Sequence, residues 1–344
     1  MPSSKRPAPE QIWSVAVAMP EHLRQQFFAP GSWERLTQCA DTWVIADHAD
    51  ILSEPRLERL AATDALITGW GTQLVSTQVL ARMPRLRAVV HTGGSVRKIV
   101  APEAYRHGIR VSSQAVNNAV PVAEYTLAMI ILALKGVPTA ARTYLASRSR
   151  PDVYRQMAGV GVYRRTVGIV GASRVGRRVI HLLRSLDVDV VVYDPYLDAA
   201  AAVELGVRIV SLVDLASCSD VVSIHAPALP ETHAMIDADF LAAMRDDATI
   251  INTARGIVID EAALVDEVSR GRIHAVLDVT YPEVPHPSSP LWTMPNVVLT
   301  PHVAGALGVE LQRLGDSAIE EVWRLTVGES LRHEVFPDQL GAMA

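Results

Sequence analysis

From Ile12 onward, short apolar runs alternate with amphipathic segments, which is how a mostly parallel sheet covered by helices is written in sequence. In the first third, WSVAVA (13–18), WVIA (43–46), ALIT (65–68) and RAVV (87–90) predict four strands, with enough chain between them for helices. A second series predicts six or seven more: TVGIV (166–170), VDVVVY (188–193), VRIV (207–210), DVVSI (220–224), ATIINT (248–253), HAVLDV (274–279) and NVVLT (296–300). Between the two series, residues 119–142 carry apolar positions at helical spacing. Asn118 stands where it would cap that helix, and Glu124 falls in the first turns, where negative charge is favourable. The stretch 308–328 is helical again and is expected to pack back on the first domain. The expected organisation is a smaller α/β domain made of 1–117 and 306–344, and a larger one made of 118–305.

The 344 residues are 49% apolar with a formal net charge of −5, so no global charge draws the chain to nucleic acid or an anionic membrane. The two cysteines, Cys39 and Cys218, do not suggest a disulfide framework, and a reduced, cytoplasmic setting is expected. The proline-rich leader 2–11 and the short SVAVAM after it do not resemble a signal peptide. The longest uninterrupted apolar run, Leu127 to Leu134, is far shorter than the ~18–20 residues that span a bilayer. No metal-ligand pattern is apparent.

The first chemical signal is TVGIV running into GASRVG (171–176) and then an amphipathic helix. Strand, tight glycine turn and helix N-terminus make an anion site, because free N–H groups and the positive helix end converge on a phosphate. Gly171, Ser173, Arg174, Val175 and Gly176 are its candidate residues, with serine where the middle glycine usually stands. Asp194, at the end of the next strand, suits the hydroxyls of an adenine ribose and repels a 2′-phosphate, so NAD is expected over NADP. A packing-only glycine turn is the bland alternative. These features predict a Rossmann-type doubly wound parallel sheet.

Three further stretches end strands of that domain, where open α/β sheets place ligands: INTARG (251–256), LDVTYPEV (277–284) and LTPHVAG (299–305). They offer Arg255, Glu283 and His302. Singly, each has an ordinary explanation as surface charge, loop residue or structural histidine. Together they can reduce a 2-keto acid: an imidazole to pass the proton, a carboxylate to fix its tautomer, and a guanidinium to hold the substrate carboxylate and polarise the carbonyl.

In the order and spacing of TVGIVGASRVG with Asp194, SIHAPALPETH (223–233), INTARGIVIDEAAL (251–264), LDVTYPE (277–283) and NVVLTPHVAG (296–305), the chain resembles the D-2-hydroxyacid dehydrogenase family over almost its whole length. The resemblance implies Arg255, Glu283 and His302 as catalytic residues. It implies that Asp278 binds the nicotinamide carboxamide, with Ala226, Pro227, Thr253 and Gly305 also against the cofactor. It further implies a flavodoxin-like smaller domain split across the sequence, and a homodimer. The family's carboxylate-binding loop reads GGSVRKIV (93–100) here, so Ser95 and Val96 would supply its amides, with Asn118 also at the substrate. Arg97 replaces a usual aspartate, and an Arg97–Lys98 pair that is solvated or ion-paired with the linking helix is favoured over a role at the substrate. An NAD-sensing, corepressor-like interaction protein and the oxidation of another small anion such as phosphite are the competing functions. Formate dehydrogenases pair their histidine with glutamine, and Glu283 argues against that branch.

Overall fold

A computed structural model describes residues 12–342, so the leader 2–11 lies outside the described residues. The chain forms two compact units, which divide between Asn118 and Ala119 and again between Gly305 and Ala306.

The first unit holds a five-stranded, all-parallel sheet: β1 (Trp13–Ala18), β2 (Ala40–Val44), β3 (Ala65–Thr68), β4 (Ala88–His91) and β5 (Arg110–Ser113), in the order β2-β1-β3-β4-β5. Both faces are covered, which explains why β1, β3 and β4 read as largely apolar runs. Ala16, Leu66 and Val89 point into one core with Leu60 and Val79. Val15, Val17, Ile67 and Val90 point into the other, under Phe27, Leu36 and the helix Leu311–Thr326. That returning helix lies tight on the unit, because a Cβ on Gly315 would collide with the Phe27 carbonyl.

The second unit holds seven parallel strands: β6 (Arg165–Val170), β7 (Val188–Tyr193), β8 (Arg208–Ile209), β9 (Val221–Ile224), β10 (Thr249–Asn252), β11 (His274–Leu277) and β12 (Val297–Leu299). Their order is β12-β11-β10-β9-β6-β7-β8. The order reverses between β6 and β9, the point at which doubly wound sheets bind dinucleotides. Successive residues again serve opposite cores: Val167 and Ile169 face the helices that carry Ile130 and Val179, while Val222, Ile250 and Leu277 face Phe240 and Leu264.

Several local expectations are corrected. The strand expected at 43–46 occupies Ala40–Val44, and β5 is not anticipated because RVSS has a single apolar side chain. The linking helix begins at Ala115, not after Asn118. Asn118 therefore lies within the helix and does not cap it; its Oδ1 accepts the Ala306 N–H at 2.9 Å. That helix stops at Leu134, because Gly136 takes a left-handed conformation (φ 62°) and Pro138 opens a second helix, Val137–Ser147. Helix Ala115–Leu134 is, by length and composition alone, able to cross a membrane. Its Ala123, Ile130 and Leu134 instead pack onto the seven-stranded sheet. Among the described residues Cys39 and Cys218 are not joined in a disulfide.

Candidate active site

The turn after β6 is built around its glycines. Gly171 has φ 96°, and a Cβ there would lie 2.8 Å from the Ala226 amide nitrogen, so the ends of β6 and β9 approach through it. A Cβ on Gly176 would strike the Gly171 carbonyl, which fixes how closely the helix Arg174–Leu183 begins beside the strand. Ser173 is the N-cap of that helix, its Oγ accepting the Gly176 N–H at 3.3 Å. Val175 is half-buried, and Arg174 is exposed at the same helix end. Asp194 follows β7 and accepts from Ala172 N (2.6 Å) and Tyr196 N (2.8 Å). Each oxygen keeps capacity for a further donor, as a pair of ribose hydroxyls requires.

Beneath this turn, His225 is buried, with Nε2 3.0 Å from Ser223 Oγ. Burial pushes its pKa from 6.5 down to about 3. The unfolded chain thus binds a proton that the fold refuses. Stability from this group is complete above pH 6.5 and is lost as pH falls toward about 3. Thermal unfolding midpoints are expected to drop between about pH 7 and 4, and less steeply in a His225→Asn variant.

The chemistry-bearing loops follow β10, β11 and β12. Asn252 shapes the first, its side chain accepting from Ala254 N (3.0 Å) and donating to the Arg255 carbonyl (2.9 Å). Arg255 is half-buried, with one terminal nitrogen donating to the Ala254 carbonyl at 2.6 Å. Burial lowers the Arg255 pKa, and the nearby charge of Glu283 opposes that shift. Gly256 has no room for a Cβ against the Thr280 backbone, so this loop lies directly on the one that carries Glu283. Thr280 Oγ1 fastens that second loop by donating to the carbonyls of Pro282 (2.8 Å) and Glu283 (3.0 Å). Glu283 Oε1 meets His302 Nδ1 at 2.6 Å, and both side chains are exposed. Arg255, Glu283 and His302 are thereby gathered on adjoining loops.

Asp278 does something the sequence did not disclose. It is 2% exposed, and its carboxylate accepts from Thr300 Oγ1 (2.6 Å), Val303 N (2.8 Å) and Ala304 N (2.9 Å). Its carbonyl also accepts His302 N at 3.0 Å. This network holds His302 at φ 55°, a left-handed conformation rare outside glycine. Tyr125 OH extends the network to Thr300 Oγ1 (2.8 Å), and Thr126 pairs with Thr253 at 3.0 Å between hydroxyls. The aspartate that ends β11 is visible in sequence; its donors, spread over 300–304, are not. Ala226 is buried, whereas Pro227 and Gly305 are half-buried.

In the first unit, Ser95 is half-buried and the Val96 side chain is fully buried. Among the described residues neither of their N–H groups has an acceptor. Arg97 is not simply solvated. Its Nε donates to the Leu340 carbonyl at 2.7 Å and a terminal nitrogen to that of Gly341.

Residues 127–304, just over half of the chain, match the model of the D-isomer specific 2-hydroxyacid dehydrogenase NAD binding domain. The chain belongs to the D-2-hydroxyacid dehydrogenase family. The D-3-phosphoglycerate dehydrogenase of Mycobacterium bovis is 33% identical over 291 residues, 83% of this chain and 53% of that protein. The chain thus spans about half the length of the curated relatives it matches. The TT0316 protein from Thermus thermophilus superposes with a TM-score of 0.76 at 26% identity, covering 94% of this chain and 100% of that one. A phosphoglycerate oxidoreductase from Rhizobium etli gives 0.80 at 23% identity, covering 96% and 100%, a likeness of fold. The larger unit of this family member accordingly takes a nicotinamide dinucleotide. Its residues fit one: two glycines leave a cradle that Cβ atoms would fill, and Asp194 holds its carboxylate at the end of β7.

Proposed function

We propose that the protein interconverts a 2-keto acid and a D-2-hydroxy acid, with NAD(H) as the hydride carrier. The observation that carries this reading is the 2.6 Å contact between His302 Nδ1 and Glu283 beside a half-buried Arg255. With Nδ1 committed to Glu283, Nε2 is the nitrogen that exchanges the proton with the substrate oxygen. Glu283 fixes the tautomer and steadies the imidazolium. Arg255, a permanent cation, grips the substrate carboxylate and draws negative charge onto the carbonyl oxygen. Ser95 and Val96 add amide donors for that carboxylate, and Asn118, whose Oδ1 is engaged, offers its amide nitrogen. When bound, the dinucleotide supplies or accepts the hydride.

Gly171, Ser173, Arg174, Val175 and Gly176 are assigned to the pyrophosphate, and Asp194 to the adenine ribose, favouring NAD over NADP. Ala226, Pro227, Thr253, Asp278 and Gly305 are assigned to the cofactor's other contacts; Asp278 retains one acceptor position on Oδ2 for the carboxamide. The smaller unit is assigned to substrate and the larger to cofactor. A cytoplasmic homodimer completes the reading. No side chain of helix Val137–Ser147 is buried, and Tyr144 and Leu145 are exposed on it, a surface suited to a second copy.

The test is a panel of glyoxylate, pyruvate, hydroxypyruvate and longer 2-keto acids with NADH and NADPH, followed by the loss of reduced cofactor. Turnover with NADH is expected. Binding of NADH with no acid reduced would favour a cofactor-sensing role instead. Ser173→Gly should leave turnover intact and change the NADH Kd by no more than about tenfold, ~1.4 kcal/mol, read by calorimetry. Glycine is nearly as good an N-cap, so fold stability should move by only about a few tenths of a kcal/mol.

A further inference from the structure

The first unit carries an aromatic side chain that no step above uses. Trp70 follows β3, at the ends of strands β3 and β4 where open parallel sheets present ligands. Its indole stacks obliquely on the fully buried Phe27, with ring centroids 5.5 Å apart, yet it remains 40% exposed. A Cβ added to Gly93 would lie 2.8 Å from Trp70 Nε1 and 2.5 Å from His91 Nε2. The indole edge therefore lies directly against the loop that carries the Ser95 and Val96 amides.

The half-buried His48 lies beside this loop, its Nε2 3.6 Å from where a Cβ on Gly71 would stand, and Lys98 is exposed on the neighbouring loop. Gly69 cannot carry a long side chain, because its Cβ would sit 2.9 Å from Met19 Cβ. Gly71 has φ 82°, a conformation L side chains avoid. Trp70 is thus the one side chain that residues 69–71 present. His91 is buried with Nδ1 3.0 Å from Thr68 Oγ1, and burial pushes its pKa down to about 4, so it is neutral at physiological pH. Arg97, on the neighbouring loop, is held by the carbonyls of residues 340 and 341.

We infer that Trp70 is the wall against which the substrate's side chain rests, selecting 2-keto acids with a bulky apolar or aromatic substituent over small ones. The inference rests on the 2-keto acid reading above. An exposed indole anchored on a buried ring offers a flat apolar surface at low entropic cost.

The test compares kcat/KM for phenylpyruvate and glyoxylate in the wild type, Trp70→Phe and Trp70→Ala, with NADH. The wild type should prefer phenylpyruvate. Trp70→Ala should lower the phenylpyruvate-to-glyoxylate ratio by about tenfold or more, chiefly through KM, and Trp70→Phe should restore most of it. An unchanged ratio in Trp70→Ala, or a wild-type preference for glyoxylate, overturns the inference. If no 2-keto acid is turned over, the proposed reaction fails, and calorimetry of phenylpyruvate binding with NADH present decides the Trp70 site alone. Binding lost in Trp70→Ala and kept in Trp70→Phe supports it, whereas absent or unaltered binding overturns it.

Discussion

Replacing His302 by alanine is expected to lower kcat by about 10²–10⁴-fold while the NADH Kd moves by less than about threefold. Proton transfer to the substrate oxygen belongs to the transition state, so its loss falls on turnover and not on ground-state binding. Glu283→Gln provides the graded companion. It keeps a hydrogen-bond acceptor within reach of Nδ1 but removes the charge beside the imidazole, so kcat should fall by less than in His302→Ala. Stopped-flow reduction and fluorescence titration of NADH check both halves. A His302→Ala enzyme with near wild-type turnover would remove the imidazole from the mechanism.

Arg255→Ala is expected to reduce kcat/KM by about 10²–10³-fold, with kcat and KM both affected, because a desolvated charge pair with the substrate carboxylate is worth several kcal/mol. In the proposed reaction its guanidinium would serve the bound acid and the developing oxyanion alike, unlike the imidazole, whose contribution would be confined to the reacting state. Arg255→Lys should recover only part of the loss, since an ammonium cannot reproduce the planar two-pronged grip. Steady-state kinetics separates the two parameters. Loss confined to the cofactor Kd would place Arg255 elsewhere in the chemistry.

Much of this architecture is legible because the strands of both units are buried on two faces and so write themselves as apolar runs. Where burial is achieved with polar side chains, legibility fails. β5 is RVSS, and its Ser112 and Ser113 are buried without being apolar. The linking helix opens at Ala115, ahead of the Ala119 at which the apolar spacing starts, because the asparagine side chains at 117 and 118 are spent on Ser317 and Ala306 and leave the backbone free to be helical. The contact between His302 and Glu283 can be anticipated from strand ends alone, since parallel neighbours β11 and β12 deliver their loops to the same edge. The partners of Arg97 cannot, because they lie 243 and 244 positions away on backbone carbonyls, which no residue type announces.

The loop after β12 is wound around the carboxylate of Asp278 much as a calcium-binding loop is wound around its ion, with the sign of the charge inverted. The bearing of the imidazole is therefore set from the neighbouring strand. Val303 and Ala304 answer that template through backbone N–H groups and Thr300 through its hydroxyl, so transplanting His302 and Glu283 onto another scaffold would need Asp278 and Thr300 to travel with them.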